Sequence, residues 1–429
     1  MSERRTPGVV VVGGGPAGIA AAALAAESGA SVRLIDENLT LGGQIWRRDV
    51  GRGRTRMAER WMARLARSGA RVERAMSVVD ATRDADGELD ILAVRGSETV
   101  RVRAASVVIC TGARERFLPF PGWTLPGVLG VGGAQALIKS GMDVRGRRVV
   151  VAGSGPLLLA AAAGVARAGG RVVLIAEQAT ASRVAGYAAG LWRSPTLLLH
   201  AGAYRAAIGR GRYTSGRWVA RADGADRIER VTVTDGRRET TVPCDLLCTG
   251  YGLVPDDRLA RLLGCAVDAG AVRVDAVQRT TVPGVYAAGE PTGIGGVAMA
   301  IAEGVVAGLA AAGNDEAALR RTTPVRRLRA AATRMELAFA LRAELRSLPA
   351  PDTILCRCED VPFGDVALDG GFRRARLHHR VGMGACQGRV CGDALAWLTD
   401  WPGESVRPPL VPVPLAALAG ATAHLPHDH

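Results

Sequence analysis

The sequence predicts an α/β protein with two Rossmann-like dinucleotide-binding domains, followed by a small helical domain that carries cysteines. Three observations predict it. A strand and glycine-rich turn, Val9-Val-Val-Val-Gly-Gly-Gly-Pro16, recurs as Val149-Val-Val-Ala-Gly-Ser-Gly-Pro156. The next strands repeat at the same offset, Ser31-Val-Arg-Leu-Ile-Asp-Glu37 against Arg171-Val-Val-Leu-Ile-Ala-Glu177. Four cysteines, Cys356, Cys358, Cys386 and Cys391, gather in one short segment near the end of the chain. Two copies of strand, turn, helix and strand mean two βαβ units of one kind.

Composition agrees and excludes several classes. A chain of 429 residues has room for two or three cores, and 4% aromatics in an Ala-, Val-, Leu- and Gly-rich background argues against a β-sandwich. The net charge of +14 raises nucleic acid as a partner. The basic residues, however, are all arginine except Lys139, and they are spread along the chain without interleaved aromatics. They read as a solvated surface, with no nucleic acid expected. Arg4-Arg5 before an apolar stretch resembles an export signal, but that stretch contains the glycines of the first turn. No uncharged apolar run approaches the roughly 18 residues of a membrane span. Eight cysteines are too few and too unevenly placed for a disulfide scaffold, so a cytoplasmic protein is expected.

The first turn is the most informative element. Gly13, Gly15 and Gly18 form G-x-G-x-x-G directly after a strand, with Pro16 and Ala17 opening a helix. The first glycine permits the tight turn, the second admits a pyrophosphate to the backbone, and the third lets helix and strand approach. Asp36, with Glu37 beside it, ends the next strand where an acid accepts both ribose hydroxyls, and Gly42-Gly43-Gln44 lies just beyond. A polar meander with an Asp86-Gly87 turn is expected over about Val79–Arg103. A buried strand, Val107–Cys110, then ends in Thr111-Gly112. Another, Asp245–Cys248, ends in Thr249-Gly250, and a third, Val285–Ala288, ends in Gly289-Glu290 before a long helix from about Gly295 to Ala312. That last strand end and helix argue for FAD rather than NAD. A flavin needs a strand end that reaches its ribityl chain and a helix N-terminus aimed at its pyrimidine edge. Related flavoproteins carry Asp where Glu290 stands.

The second turn is altered. Gly153 and Gly155 are kept, but Leu158 replaces the third glycine and is expected to crowd a pyrophosphate. At the constant offset Ala176 replaces Asp36, leaving Glu177 one position late. NAD bound loosely, another adenine nucleotide such as ATP, or no ligand are the alternatives. With no Cys-x-x-Cys in this part, a dithiol relay is excluded, and Cys110, Cys244, Cys248 and Cys265 read as core.

The domains follow. Residues 1–130 and 250–313 form the FAD domain, 131–249 the second nucleotide domain, 314–353 a helical connector, 354–400 the cysteine domain, and 401–429 a Pro-rich, extended tail. Cys356-Arg-Cys358 and Cys386-Gln-Gly-Arg-Val-Cys391 suit a [2Fe–2S] cluster, the C-x-C pair sharing one iron. Zinc is the rival, since four thiolates also suit it. Arg357, Arg373, Arg374, Arg376 and Arg389 are placed to offset cluster charge, and His378-His379 read as surface residues.

These residues carry a resemblance. Cys356-Arg-Cys-Glu-Asp-Val361 with Gly382-Met-Gly-Ala-Cys-Gln-Gly-Arg-Val-Cys391 resembles the bacterioferritin-associated-ferredoxin-like [2Fe–2S] domain. Thr111-Gly-Ala-Arg-Glu-Arg116, Pro119-Phe-Pro-Gly-Trp-Thr-Leu-Pro-Gly127 and Gly289-Glu-Pro-Thr-Gly-Ile-Gly-Gly296 resemble one family in particular. It is the FAD-containing α subunit of heteromeric amine and amino-acid dehydrogenases and oxidases, among them opine oxidase, D-hydroxyproline dehydrogenase, hydrogen cyanide synthase and sarcosine oxidase. The resemblance implies a fold of the glutathione-reductase and thioredoxin-reductase type. It also implies an electron-transfer subunit relaying through FAD and a [2Fe–2S] cluster. A separate FAD-bearing, D-amino-acid-oxidase-like β subunit would oxidise the amine, often beside a small ferredoxin-like subunit. No general base with a partner is evident in this chain, and its catalytic residues stay unassigned. The alternatives are a stand-alone NAD(P)H-dependent flavin reductase feeding a ferredoxin, and an assembly scaffold with ATP in the second site.

Overall fold

The computed structural model describes residues 8–46, 55–84, 87–191, 195–209, 212–366, 370–401 and 406–422. Arg4-Arg5, Asp86 and Pro402 lie outside these. The chain divides into two compact units, one of residues 1–114, 254–332 and 405–429, the other of residues 115–253 and 333–404.

The first unit is built on a five-stranded parallel sheet in the order Val285–Ala287, Ser106–Ile109, Val9–Val12, Val32–Ile35 and Arg71–Glu73. Val9–Val12 is buried throughout, as a parallel strand covered on both faces must be. The Pro16–Glu27 helix is mostly alanine and is buried on nearly every side. The Gly296–Ala311 helix can therefore press against it. A Cβ at Gly304 would stand 2.2 Å from the Ala17 carbonyl oxygen, and one at Gly308 2.3 Å from that of Ala21. Small residues on both helices let the backbones touch.

The polar meander is three antiparallel strands, Ser77–Arg83, Leu89–Arg95 and Glu98–Ala104. Their Val79, Leu92 and Val94 need cover, and the tail provides it with Val411, Val413 and Ala417. The Leu410 N–H donates to the Val79 carbonyl at 2.8 Å, and Thr99 Oγ1 donates to the Ala417 carbonyl at 2.6 Å. The Pro-rich segment, expected to be extended, is thus docked on the meander and leads on into the helix Leu415–Thr422. Its apolar residues explain this, since the meander would otherwise leave a face exposed.

The second unit repeats the plan, with parallel strands in the order Arg212–Ser215, Arg171–Glu177, Arg148–Gly153, Leu246–Gly250 and Val128–Gly130. A three-stranded antiparallel sheet, Trp218–Asp223, Arg230–Thr234 and Glu239–Pro243, accompanies it. The connector runs through the helix Thr322–Ala338 into a short 3-10 turn at Ala343–Ser347. There Leu345 is fully buried among Leu118, Trp218 and Tyr251. The cysteine module packs Leu355, Val366, Phe372, Ala375, Val381 and Leu395 into a small core. Among the described residues no helix is long and apolar enough to cross a membrane.

Candidate functional site

In the first loop Gly13 and Gly18 each answer a specific crowding. Gly13 takes a φ of 106°, and a Cβ there would lie 2.2 Å from the Cys110 carbonyl oxygen. A Cβ on Gly18 would stand 1.8 Å from the Gly13 oxygen, so the third glycine is what lets the helix start beside the strand. Gly15 is the N-cap residue and Pro16 and Ala17 begin the helix. Asp36 is buried, accepting from the Gly14 N–H and, at 2.7 Å, from the Asn38 N–H. Gly42 donates its N–H to the Gly14 carbonyl at 2.8 Å, so the Gly42-Gly43 turn closes against the loop. Glu37 and Gln44 face solvent at its rim.

Across the sheet Thr111 and Gly112 are fastened to the chain at Asp256. Thr111 Oγ1 donates to the Asp256 carbonyl at 2.7 Å, and the Asp256 N–H donates to the Gly112 carbonyl at 3.0 Å. Gly289 lies against the helix start, where a Cβ would approach that of Ala17 to 2.8 Å. Glu290 Oε1 accepts from the Gly296 N–H at 2.9 Å and caps the Gly296 helix. Its Oε2 is buried without a partner, and burial raises the carboxyl above its ordinary value. A ligand hydroxyl would satisfy that orphan oxygen. Glycine cradle, buried acid and orphan acceptor together fit an FAD.

The residue that sequence reasoning missed is Glu303. It has no exposure, and it accepts from the Gly289 N–H at 2.9 Å, Thr292 Oγ1 at 2.7 Å and Arg329 Nη2 at 2.5 Å. It fixes the Gly289-Glu290 corner from behind. The available signal was a lone acid in the otherwise uncharged helix Gly296–Ala311.

The second loop contains a register change. Pairing of Arg148–Gly153 with Arg171–Glu177 slips between Val149 and Val150, so that Gly153 lies beside Glu177. The extra residue brings Glu177, not Ala176, to the place of Asp36. Glu177 accepts from the Gly155 N–H at 2.7 Å and the Ala179 N–H at 2.8 Å, much as Asp36 does from Gly14 and Asn38. Leu158 is accommodated in the core, buried beside Gly250.

Burial raises the Glu177 carboxyl to about 7, against the pull of its amide donors. An acid raised on folding favours the fold below its free value of 4.5, and that contribution is lost as pH climbs to 7. Wild type is therefore expected to lose up to about 3 kcal/mol from this group between pH 5 and 8. Urea midpoints at both pH values should fall more in wild type than in Glu177→Gln; equal falls would refute it.

The four cysteines of the C-terminal module line one cavity of about 320 Å³, together with Arg357 and Val390. Close thiol contacts run across the two sequence pairs, Cys356 with Cys391 and Cys358 with Cys386. The expected pairing puts Cys356 and Cys358 on one iron; the closest thiol contacts instead cross between the two pairs, with Cys358 in the turn that follows the strand Ile354–Cys356. Among the described residues, no three potential ligands close tightly enough to hold a single ion. Gly384 makes room for the set, since its Cβ would come 2.3 Å from that of Cys358. Trp123, in the Pro-Gly-Trp-Thr-Leu-Pro-Gly stretch, donates its indole N–H to the Ile354 carbonyl at 2.5 Å and carries the Arg357 guanidinium 5.3 Å from its ring centre. Arg389 Nε donates to the Cys386 carbonyl at 2.9 Å. Arg373, Arg374 and His378 are exposed, Arg376 and His379 half-buried. Cys110, Cys244, Cys248 and Cys265 are buried in the core, and burial pushes the Cys244 and Cys248 thiols up to about 12.

The pyridine nucleotide-disulphide oxidoreductase family model matches residues 7–193 and 212–304. The chain belongs to that family. This oxidoreductase is 34% identical to an opine oxidase subunit of Rhizobium meliloti, over 96% of this chain and 98% of that one. It is 32% identical to the hydrogen cyanide synthase subunit HcnB of Pseudomonas protegens, over 95% and 96%. Its fold is similar to that of the L-proline dehydrogenase from P. horikoshii, with a TM-score of 0.68 and 23% identity over 96% of this chain and 79% of that one. The family implies FAD, and the oxidoreductase is a flavin-dependent enzyme. Its relatives are named as subunits, which agrees with the expectation of a chain that works in a complex.

Proposed function

We propose that this chain is the electron-transfer α subunit of a heteromeric, FAD-dependent dehydrogenase or oxidase of amino acids or secondary amines. The observation that carries this reading is the cavity lined by four cysteines in a flavin-dependent chain with no Cys-x-x-Cys in its nucleotide-binding domains. FAD supplies two-electron and a [2Fe–2S] cluster one-electron capacity when bound. Gly13, Gly15, Pro16, Ala17 and Gly18 cradle the diphosphate, with Asp36 and Glu37 on the adenosine side and Gly42, Gly43 and Gln44 along the rim. Thr111, Gly112, Gly289 and Glu290 serve the other end, where the buried Glu290 Oε2 accepts a ligand hydroxyl. Cys356, Cys358, Cys386 and Cys391 hold the cluster. A space of about 320 Å³ lined by four thiols in a flavin-dependent chain favours a two-iron cluster, which can carry electrons, over a zinc, which cannot. Arg357 and Arg389 sit where cationic groups offset cluster charge. The amine is oxidised on a D-amino-acid-oxidase-like, FAD-bearing β subunit, and a small ferredoxin-like subunit is a further candidate partner. The second loop takes no part in this path, and neither NAD nor ATP is needed there.

The test is the purified chain. Flavin absorbance, about two irons and two sulfides per chain, and a low-temperature EPR signal on reduction are expected. Amine oxidation should be negligible alone and appear on co-expression with the β subunit. Zinc without iron or sulfide would refute the assignment, and rapid bleaching of the flavin by NADH would favour a stand-alone reductase.

A further inference from the structure

We infer that the second dinucleotide-binding loop is filled by the chain itself: the segment Phe339–Arg342, at the end of the connector helix, stands where a dinucleotide would lie.

Loops of this kind attract acceptors. The exposed amides and positive end of the following helix, Leu157–Arg167, would ordinarily be met by the oxygens of a pyrophosphate. Here the Gly155 N–H is given to Glu177, and a helix end of the opposite sign stands beside the loop, held by side-chain donors. The connector helix stops at Ala338, and the Phe339 and Ala340 carbonyls lie just past its C-terminus, the end that carries partial negative charge. Ser154 Oγ donates to the Phe339 carbonyl at 2.7 Å. Gln178 Nε2 donates to Ser154 Oγ at 2.9 Å and reaches the Phe339 and Ala340 carbonyls at 3.4 and 3.3 Å. Its other atom, Oε1, accepts from the Arg342 N–H at 3.2 Å, so one amide clamps both sides of the segment.

The Phe339 ring covers the remainder. It lies 3.8 Å from where a Cβ on Gly155 would be, over the glycine whose bareness normally admits the pyrophosphate. Tyr187 holds it edge-on, with ring centres 5.1 Å apart at 71°. Beyond it the Arg342 guanidinium stacks 4.7 Å above Trp218, and Leu345 is buried. The segment is thus pinned on both sides of the loop.

The two donors occur only in the second copy. Ser154 stands where the first loop has Gly14, which has no side chain to donate. Gln178 follows Glu177 as Glu37 follows Asp36, and an ionised Glu at that place could not donate to a carbonyl. The second loop is therefore equipped for main-chain carbonyls. Its consequence is that NAD(P)H and ATP are excluded from this chain.

Equilibrium dialysis of the full, flavin-loaded chain against NADH, NADPH and ATP tests this. Wild type should show no saturable binding up to about 1 mM. The variant Phe339→Gly combined with Gln178→Glu should gain affinity by at least about tenfold for one of the three. Binding by wild type below about 0.1 mM would overturn the inference. So would a variant that keeps its flavin and near-ultraviolet dichroism yet still binds nothing. Hydrogen exchange in wild type supplies a measurement that no folding defect can spoil. Peptides spanning residues 153–158 and 336–342 should be protected together, and loss of protection at 336–342 on adding NADH or ATP would also overturn it.

Discussion

Replacing Glu303 by leucine is expected to cost the first unit about 1–3 kcal/mol and to strip most of its flavin. The carboxylate has no exposure, and three donors converge on it: the Gly289 N–H, Thr292 Oγ1 and Arg329 Nη2. Leucine fills the volume but accepts nothing. One buried donor, the Gly289 N–H, would be left unpaired at about 1–3 kcal/mol, while Thr292 Oγ1 can turn to the Gly289 carbonyl 2.9 Å away and the half-exposed Arg329 to water. The damage should reach the flavin because Gly289 is held between Glu303 and Ala17, and the adjoining Glu290 carries the orphan oxygen. Thermal unfolding should fall by on the order of 10 °C, with the flavin-to-protein absorbance ratio falling as well. Glu303→Gln, which keeps the shape and one acceptor, should lose less than half as much. An unchanged melting temperature with full flavin in the leucine variant would show that the corner is held by something else.

Much of this architecture is legible in the sequence because it rests on contacts between near neighbours along the chain. Gly18 must be glycine since the Gly13 carbonyl lies directly in the path of a side chain, and both belong to one turn. The α/β plan and the repeated βαβ unit are readable for the same reason. Glu303 was not legible as a site residue, because its role appears only when its helix brings it behind Gly289 and beside Arg329. The Glu177 register was hidden too. A constant offset between repeats cannot register a bulge, and the slip at Val149/Val150 moves the acid by the one residue it seemed to lack. The prolines gave no sign of the helix Leu415–Thr422 or of where the tail docks. What decides its course is the uncovered apolar side of Val79, Leu92 and Val94, more than three hundred residues earlier. The Phe339 contacts with Ser154 and Gln178 span 185 and 161 residues, a distance at which no local pattern gives warning.

Cys391→Ala is expected to remove all iron and sulfide while leaving flavin at its wild-type level. Cys391 is buried at the first turn of the helix Cys391–Thr399 and contacts Cys356 across the cavity. Alanine leaves three thiols around a space shaped for four, and an iron–sulfur cluster with one ligand gone is open to solvent and loss. The flavin loops belong to the other compact unit, so their occupancy reports separately. Cys248→Ala is the control, since that thiol is buried in the second sheet and pushed up to about 12, far from ligand chemistry. It should keep its full iron content. A second readout follows from size. The module's core is a handful of residues around Phe372 and Leu395, and scaffolds below about 70 residues commonly need a metal or a crosslink to hold together. Limited trypsin digestion should therefore cut among Arg373, Arg374 and Arg376 faster in Cys391→Ala than in wild type. Iron retained at wild-type stoichiometry in Cys391→Ala would remove this cysteine from the ligand set. Zinc recovered in place of iron from wild type would instead make the cavity a structural clip, and the flavin would then have to pass its electrons directly to another subunit.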